Sequence, residues 1–370
     1  MKTFKIKEIC HLEKGKQIDT TLLSDGNPYK YINGGIKESG YYTTYNTEGE
    51  AVLVSEGGAS CGYVNYINEK FWCGCHCYKL TKCKFLPKYI YYALKGNQEK
   101  LMALRTGAAM PNIKKTTFQD MELLLNENHT EQELVIKELD KIQIALEIKK
   151  TELIALDDLV KSRFIEMFGE IDNNPNNYPI VTIDDVCIKV TDGKHGGCQK
   201  QEDSGYYYIG AREIFDGEIH YNTAPQITYA DFAKDYKRCN IETGDLVIVN
   251  TGATIGKSAI AKSPLTDHTL LQKSVALYKV KKDVIDVLFL QYCYMTHPSL
   301  YLVEGAAAQP NLLISTIKKT KIYLPPIELQ NEFADFVKLT DKSKFVCLFI
   351  PSIFYEISLR FRHPPLHIRG

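Results

Sequence analysis

The turn Gly252-Ala253-Thr254-Ile255-Gly256, followed by Lys257 and Ser258, has the residue types of a phosphate-binding loop. Such a loop cradles phosphates with backbone N–H groups, and its pattern places four residues between the glycines. Three stand here, and the residue one position earlier is Thr251. A related turn, Gly58-Ala59-Ser60-Cys61-Gly62, runs into Tyr63 with no lysine after it. The pair reads as a shared backbone feature, not a nucleotide site. Cys73, Cys75 and Cys77 surround His76, with Cys61 and Cys83 farther along, a set that suggests zinc. Alternation is the pattern of a strand, on which i and i+2 side chains lie about 7 Å apart. Thiolates sharing one zinc lie much closer, given bonds of about 2.3 Å. Zinc is therefore not expected.

Catalysis has little support. Glu147-Ile148-Lys149 has a nuclease-like Glu-x-Lys spacing but falls inside a long helical run. Asn174-Pro175-Asn176-Asn177-Tyr178 and Leu324-Pro325-Pro326 both miss the Asn/Asp-Pro-Pro-aromatic pattern of an amino-methyltransferase. No spacing of serine, histidine and aspartate points to a triad.

The elements that carry these residues occur twice. Phe4–Cys10 aligns with Val181–Cys187 and Tyr31-Ile32 with Tyr208-Ile209, both at an offset of 177. The Gly-Ala turns align at 194, and Met110-Pro111-Asn112 aligns with Gln309-Pro310-Asn311 at 199. Glu131-Gln132 is echoed by Glu328-Leu329-Gln330, with the glutamines 198 apart. Anchors in constant order, with offsets that drift only by insertion, indicate one scaffold carrying different loops. Each copy reads as mixed α and β. Ala51–Ser55 and Asp245–Asn250 are apolar runs of buried strands that feed the Gly-Ala turns. Leu86–Leu104 and Val284–Leu302 are expected to be helical. Each leads to a small-residue stretch (Thr106–Ala109, Gly305–Ala308), a Pro-Asn turn and a strand ending near Leu125 or Leu324.

Between the copies, Val135, Leu139, Ile142, Leu146, Lys149, Leu153, Leu156, Val160, Arg163 and Met167 fall at alternating spacings of four and three. This heptad seam predicts a long helix packed lengthwise on a partner. Thr130 with Glu133 suggests its capping box, and Gly169 followed by Asn173-Asn174-Pro175 its stop. A matching helix begins at Ile327, with Leu329, Phe333, Phe336 and Thr340 in its seam. Pro351 should end it. The expected organisation is a first module over 1–126, a spacer helix over 127–172 and a second module over 173–326. The start of a second, shorter helix over 327–344 follows. Residues 345–370 form an atypical tail of the kind a shift of reading frame near Lys344 would produce.

The net charge is zero, but its distribution is uneven: +5 over 1–126, −6 over 127–172, zero over 173–326 and +1 over 327–370. A nucleic-acid binder needs a basic face, not a basic total. The 24 tyrosines suit a recognition surface, each with an apolar ring and a polar tip. Eleven irregularly spaced cysteines are expected as free thiols in a reducing cytosol. The N-terminus has no signal-peptide core, and no apolar run is long enough for a membrane span. A cytoplasmic protein is expected.

Gly57–Gly62, Gly244–Lys257, Gln309–Leu312 and Leu324–Gln330, in this duplicated order, resemble the DNA-specificity subunits of type I restriction–modification systems. The resemblance covers about residues 1–340. It implies an α+β fold in which two mixed target-recognition domains are joined by a long coiled-coil-type helix, with a second helix pairing antiparallel to the first. Each domain would read one half of a split site in double-stranded DNA. The subunit would dock two DNA-methyltransferase subunits, and restriction subunits in the full complex. It would not itself be a catalyst and would carry no cofactor. S-adenosylmethionine, ATP and Mg would belong to the partners. The DNA-contact candidates are polar residues of variable stretches: Lys37, Tyr41, Tyr42 and Tyr45 in the first module, and Lys194, His195, Gln199, Lys200, Arg212 and Arg238 in the second. The alternative is a coiled-coil scaffold with no DNA role, which a basic face shared by both modules would argue against.

Overall fold

The computed structural model describes residues 1–107, 110–170, 173–300 and 311–362, and for 345–362 the backbone alone. The chain divides into two compact units, Met1–Ile148 together with the chain from Phe354 in the first and Lys149–Ile353 in the second. The division falls inside the first long helix, so each half of that helix is part of a globular unit.

In the first unit the strands are β1 (Lys2–Lys5), β2 (His11–Lys14), β3 (Tyr29–Ile32), β4 (Tyr41–Tyr42), β5 (Ala51–Ser55), β6 (Val64–Ile67), β7 (Phe71–Cys73), β8 (Cys77–Thr81) and β9 (Glu122–Leu125). The apolar run Ala51–Ser55 is buried along its whole length and forms the middle of an antiparallel sheet ordered β2-β8-β5-β6. Burial on both faces is what an uninterrupted apolar strand requires. A second sheet, β4-β3-β7, contains the parallel pair β3–β7. Strands β1 and β9 close the module antiparallel.

The second unit repeats this plan with β10 (Ile180–Thr182), β11 (Cys187–Asp192), β12 (Tyr207–Ile209), β13 (Ile214–Phe215), β14 (Glu218–Ile219), β15 (Leu246–Val249), β16 (Ser258–Ile260), β17 (Thr269–Leu271), β18 (Val275–Val280) and β19 (Lys321–Tyr323). Its main sheet is ordered β11-β18-β15-β16, β12 pairs parallel with β17, and β10 pairs antiparallel with β19. The hairpin β13–β14 and a helix over Tyr229–Cys239 are insertions peculiar to this copy.

The first long helix spans His129–Phe168. Its cap is Asn128, not Thr130: the Asn128 side chain accepts from the Glu131 N–H at 3.2 Å. An Asx side chain one residue before the helix does this as well as a threonine. Gly169 ends the helix at φ +77°, its N–H donating to the Ile165 carbonyl at 2.8 Å. Every residue of the predicted seam, Val135 to Met167, is buried or half-buried. Val135 packs on the first module's core, and Val160, Phe164 and Phe168 belong to the second module's core.

The second long helix spans Ile327–Arg362, so Pro351 does not end it. A proline removes one backbone donor from the ladder, and here the bonds on either side carry the helix through. It has 36 residues against 40, shorter than the first by about one turn. Within the second unit the two helices run antiparallel. Phe164 meets Phe333 at a centroid distance of 5.3 Å, Arg163 reaches Glu332 at 3.4 Å, and Asp157 pairs with Lys344 at 2.7 Å. The atypical side chains of 345–362 and the residues after Arg362 lie outside the described set, as do Ala108-Ala109 and the Gly305–Ala308 stretch.

The expected helix over Leu86–Leu104 is two helices, Pro87–Gly96 and Gln98–Ala103. Asn97 divides them, its side chain donating to the Ala93 carbonyl at 2.9 Å; an asparagine amide competes in this way with the helical ladder. Its counterpart in the second module spans Val287–Thr296.

Candidate functional site

In each module the Gly-Ala turn, the Pro-Asn turn and the ends of the parallel strand pair converge. The backbone bonds that hold them are the same. In the first, the Gly62 N–H donates to the Ser55 carbonyl (2.8 Å), Ile113 to Glu56 (2.9 Å), Glu56 to His76 (2.9 Å), Gly74 to Ile32 (2.8 Å) and Lys16 to Cys73 (2.9 Å). In the second, Gly256 donates to Val249 (2.9 Å), Leu312 to Asn250 (2.8 Å), Asn250 to Ser274 (3.0 Å), Gln272 to Ile209 (2.8 Å) and Lys194 to Leu271 (2.8 Å). The Gly-Ala turn thus joins two antiparallel strands, β5–β6 or β15–β16. It does not lead into a helix, whose N-terminus a phosphate loop uses to hold its anion. Gly58 and Gly252 sit at φ +76° and +93° with open space where a Cβ would be. The backbone conformation, not crowding, requires glycine there.

The echoed glutamines have one structural role. Gln132 is buried; its Oε1 accepts from the Leu86 N–H (3.1 Å) and its Nε2 donates to the Asn126 carbonyl (2.9 Å). Gln330 accepts from the Asp286 N–H (2.9 Å) and donates to the Pro325 carbonyl (2.8 Å). Each ties the start of a long helix to the first turn of a module helix.

Of the first-module candidates, Lys37 is exposed, and Tyr41, Tyr42 and Tyr45 are half-buried. Tyr41 and Tyr42 form β4, opposite Lys30 and Tyr29. Tyr42 meets Trp72 edge-on at 5.0 Å, and Tyr45 meets Tyr29 at 5.0 Å. Lys70 lies 4.4 Å over the Tyr45 ring and donates to its hydroxyl at 3.0 Å. Its ammonium, held also by Glu48, is stabilised above the usual lysine range. Trp72, Tyr29 and Lys70 escaped the sequence reading. Parallel pairing of β3 with β7 brings them beside the tyrosines across about forty residues, and no local spacing signals it.

The second-module candidates divide. Lys194 is paired with Asp235. Arg238 binds the Asp192 carboxylate and donates to the carbonyls of Asp192 and Gly193, both at 3.0 Å. His195 meets the same carboxylate at 3.0 Å. Burial opposes ionisation of Asp192, but bonds from Arg238 and His195 outweigh it and hold the carboxyl below its ordinary range. Gln199 is fixed through its backbone N–H to Asp231 (2.6 Å), while Lys200 and Arg212 are exposed. Lys194 and Arg238 are therefore engaged in holding loops, and Gln199, Lys200 and Arg212 keep side chains facing solvent. Nearby, Tyr206 stacks on His268 at 5.1 Å and meets Phe232 at a tilt at 4.6 Å, with Tyr229 well exposed beside it.

The cysteine cluster differs from the expected strand. Cys73 ends β7, Cys75 and His76 form a turn, and Cys77 begins β8. The turn brings the Cys73 and Cys77 thiols close together, both buried, as a straight strand would not. Cys75 instead faces Gln17 Oε1 at 3.1 Å. Among the described residues, no group of three or more potential ligands is placed to hold a metal, and no helix is long and apolar enough to cross a membrane.

The family model for the type I restriction modification DNA specificity domain matches residues 1–157 and again 175–345. A putative type I specificity subunit of Mycoplasma pneumoniae is 29% identical over 346 residues, covering 92% of this chain and 88% of that protein. One from Mycoplasma genitalium is 24% identical over 344 residues, covering 91% and 86%. The crystal structure of a type I restriction–modification S subunit from M. genitalium superposes with a TM-score of 0.58 at 22% identity, over 96% of this chain and 93% of that one. A structure from a study of complex assembly and conformational transition of the type I system gives 0.53 at 11% identity, over 96% and 95%.

Proposed function

The chain belongs to the type I restriction–modification DNA-specificity family, and from that premise we propose that it reads a bipartite site in double-stranded DNA, one half per module, while docking methyltransferase subunits. The observation that carries this reading is the duplicated junction. Two modules share the order of their main sheet and the backbone bonds of the junction yet differ in the loop sequences between those anchors. A shared frame with divergent polar loops suits two readers of two different sequences. A helical spacer turns two modest half-site contacts into one specific site, provided the spacing fits.

Two methyltransferase subunits, one per repeat, are the stoichiometry that a duplicated chain would favour, with restriction subunits joining the full complex. The first long helix leaves Ile144, Ile148, Ile154 and Leu159 at least half exposed, apolar area that a partner would cover. Chemistry, with S-adenosylmethionine, ATP and Mg, would rest with those partners, and the assembly would work in the cytoplasm. The test is methylome sequencing of a host carrying this chain with its methyltransferase. A bipartite methylated motif that disappears on deleting either module is expected; an unchanged methylome contradicts the reading.

A further inference from the structure

In the second module the junction opens into a cleft of about 270 Å³, lined by Lys194, Tyr208, Thr251, Gln272, Lys273 and Asn311 among others. Its floor is already satisfied. Tyr208 donates to the Gly196 carbonyl at 2.6 Å, Thr251 donates to Asn311 Oδ1 at 2.9 Å, and Lys194 is neutralised by Asp235. Lys273 is the exception. It is exposed, its N–H is tied to the Lys194 carbonyl at 3.0 Å, and its ammonium has no acidic partner among the described residues.

The matched backbone bonds identify the same place in the first module. Lys16 corresponds to Lys194, Gly74 to Gln272 and Cys75 to Lys273. The cation has changed sides. Where Lys194 is neutralised and Lys273 is unpaired, Cys75 offers no charge and Lys16 is exposed with no acidic partner among the described residues. The amide changes sides too. A Cβ on Gly210 would strike the Gln272 side chain, and a Cβ on Gly74 would strike that of Asn33. Each junction thus keeps one amide in the gap and one uncompensated lysine at its mouth, contributed by opposite strands.

We propose that this junction is where each module grips a phosphate of the DNA backbone, through Lys273 in the second module and Lys16 in the first. The inference rests on the DNA-reading function above. The glycines at 58 and 252, with open space on their Cα side, leave room for a sugar–phosphate chain to approach. A phosphate contact positions a module without reading sequence, so these lysines set grip and not target.

The test uses the full chain assembled with its methyltransferase and a duplex carrying the methylated motif found in the host. Dissociation constants are measured across a salt series for wild type, Lys273→Ala, Lys16→Ala and the two Lys→Arg variants. Each alanine variant should bind about fivefold more weakly at 0.15 M salt and lower the log–log salt slope by about 0.9, the value for one phosphate contact. Arginine should restore both, and the methylated motif should stay the same. Unchanged slopes in both alanine variants, with wild type binding its motif, overturn this inference alone. A changed motif would show that the lysines read bases, and overturns it as well. A wild-type complex with no methylated motif overturns the functional reading and this inference with it.

Discussion

The two modules keep their backbone bonds and exchange their side chains. At matching positions on the first strand of the main sheet, Lys14 pairs with Glu56 at 2.6 Å, whereas Asp192 binds Arg238 and His195. The charge is reversed and the sheet is not disturbed. One strand over, the buried tyrosine moves by one pleat: Tyr78 and Leu80 in β8 correspond in register to Ala276 and Tyr278 in β18. The lesson is that the frame is specified by glycines, turn residues and two buried glutamines, which leaves outward and even some inward positions free to diverge.

The largest effects should come from the frame itself. Gln132→Ala removes two hydrogen bonds of a buried amide, and Gln330→Ala the same two with a longer third to the Val284 carbonyl (3.4 Å), so each should cost about 2–4 kcal/mol. Chemical denaturation of the two variants should give losses equal within about 1 kcal/mol, allowing for context. A clear inequality would break the equivalence of the modules. Next come the displaced tyrosines. Tyr78 shares its one hydroxyl proton between the Ile113 carbonyl (2.9 Å) and Glu56 (3.0 Å), while among the described residues Tyr278 donates only to the Tyr294 hydroxyl at 3.2 Å. Tyr78→Phe should lose about 1–3 kcal/mol and Tyr278→Phe about 1 kcal/mol. The reverse order would show that the first module's extra bonds add nothing.

The reversed charges give the most diagnostic pair, and at Lys14 the smallest loss. Asp192→Asn should cost about 1.5–3 kcal/mol at pH 7, as for bonds to a charged group. The Asp192 carboxyl is held below its ordinary range. Its contribution is therefore present above the unfolded value of about 3.9 and fades as pH falls through the folded value. Urea midpoints of wild type and Asp192→Asn should converge on going from pH 7 to pH 3. Lys14, about half exposed, should matter less, with Lys14→Ala costing under about 1 kcal/mol. A larger loss at Lys14 than at Asp192 would contradict the contrast in burial.

Repetition was legible because its anchors are residues with stereochemical work: Gly58 and Gly252 at positive φ, and Asn112 and Asn311 bridging to the Gly-Ala turn. The long helix was legible because its seam has a period. What stayed hidden needs partners distant in sequence. The Trp72–Tyr42 contact depends on parallel strands, and the Cys73–Cys77 pair depends on a turn that alternation mimicked. Asn97 and Asn128 act through side-chain bonds that helical periodicity does not register. Pro351 is a helix breaker by its local chemistry, and its place inside a continuous helix depends on the ladder around it. Of the candidate contacts, Lys194 and Arg238 looked free in sequence because Asp235 and Asp192 reach them only through the fold.

The central claim is that each module reads its own half of the target. It is tested most directly by replacing residues 173–326 with the equivalent module of another family member and sequencing the host methylome. One half of the methylated motif should change while the other half, and the gap between them, stay as in the parent. A motif in which both halves change, or neither does, would contradict the account.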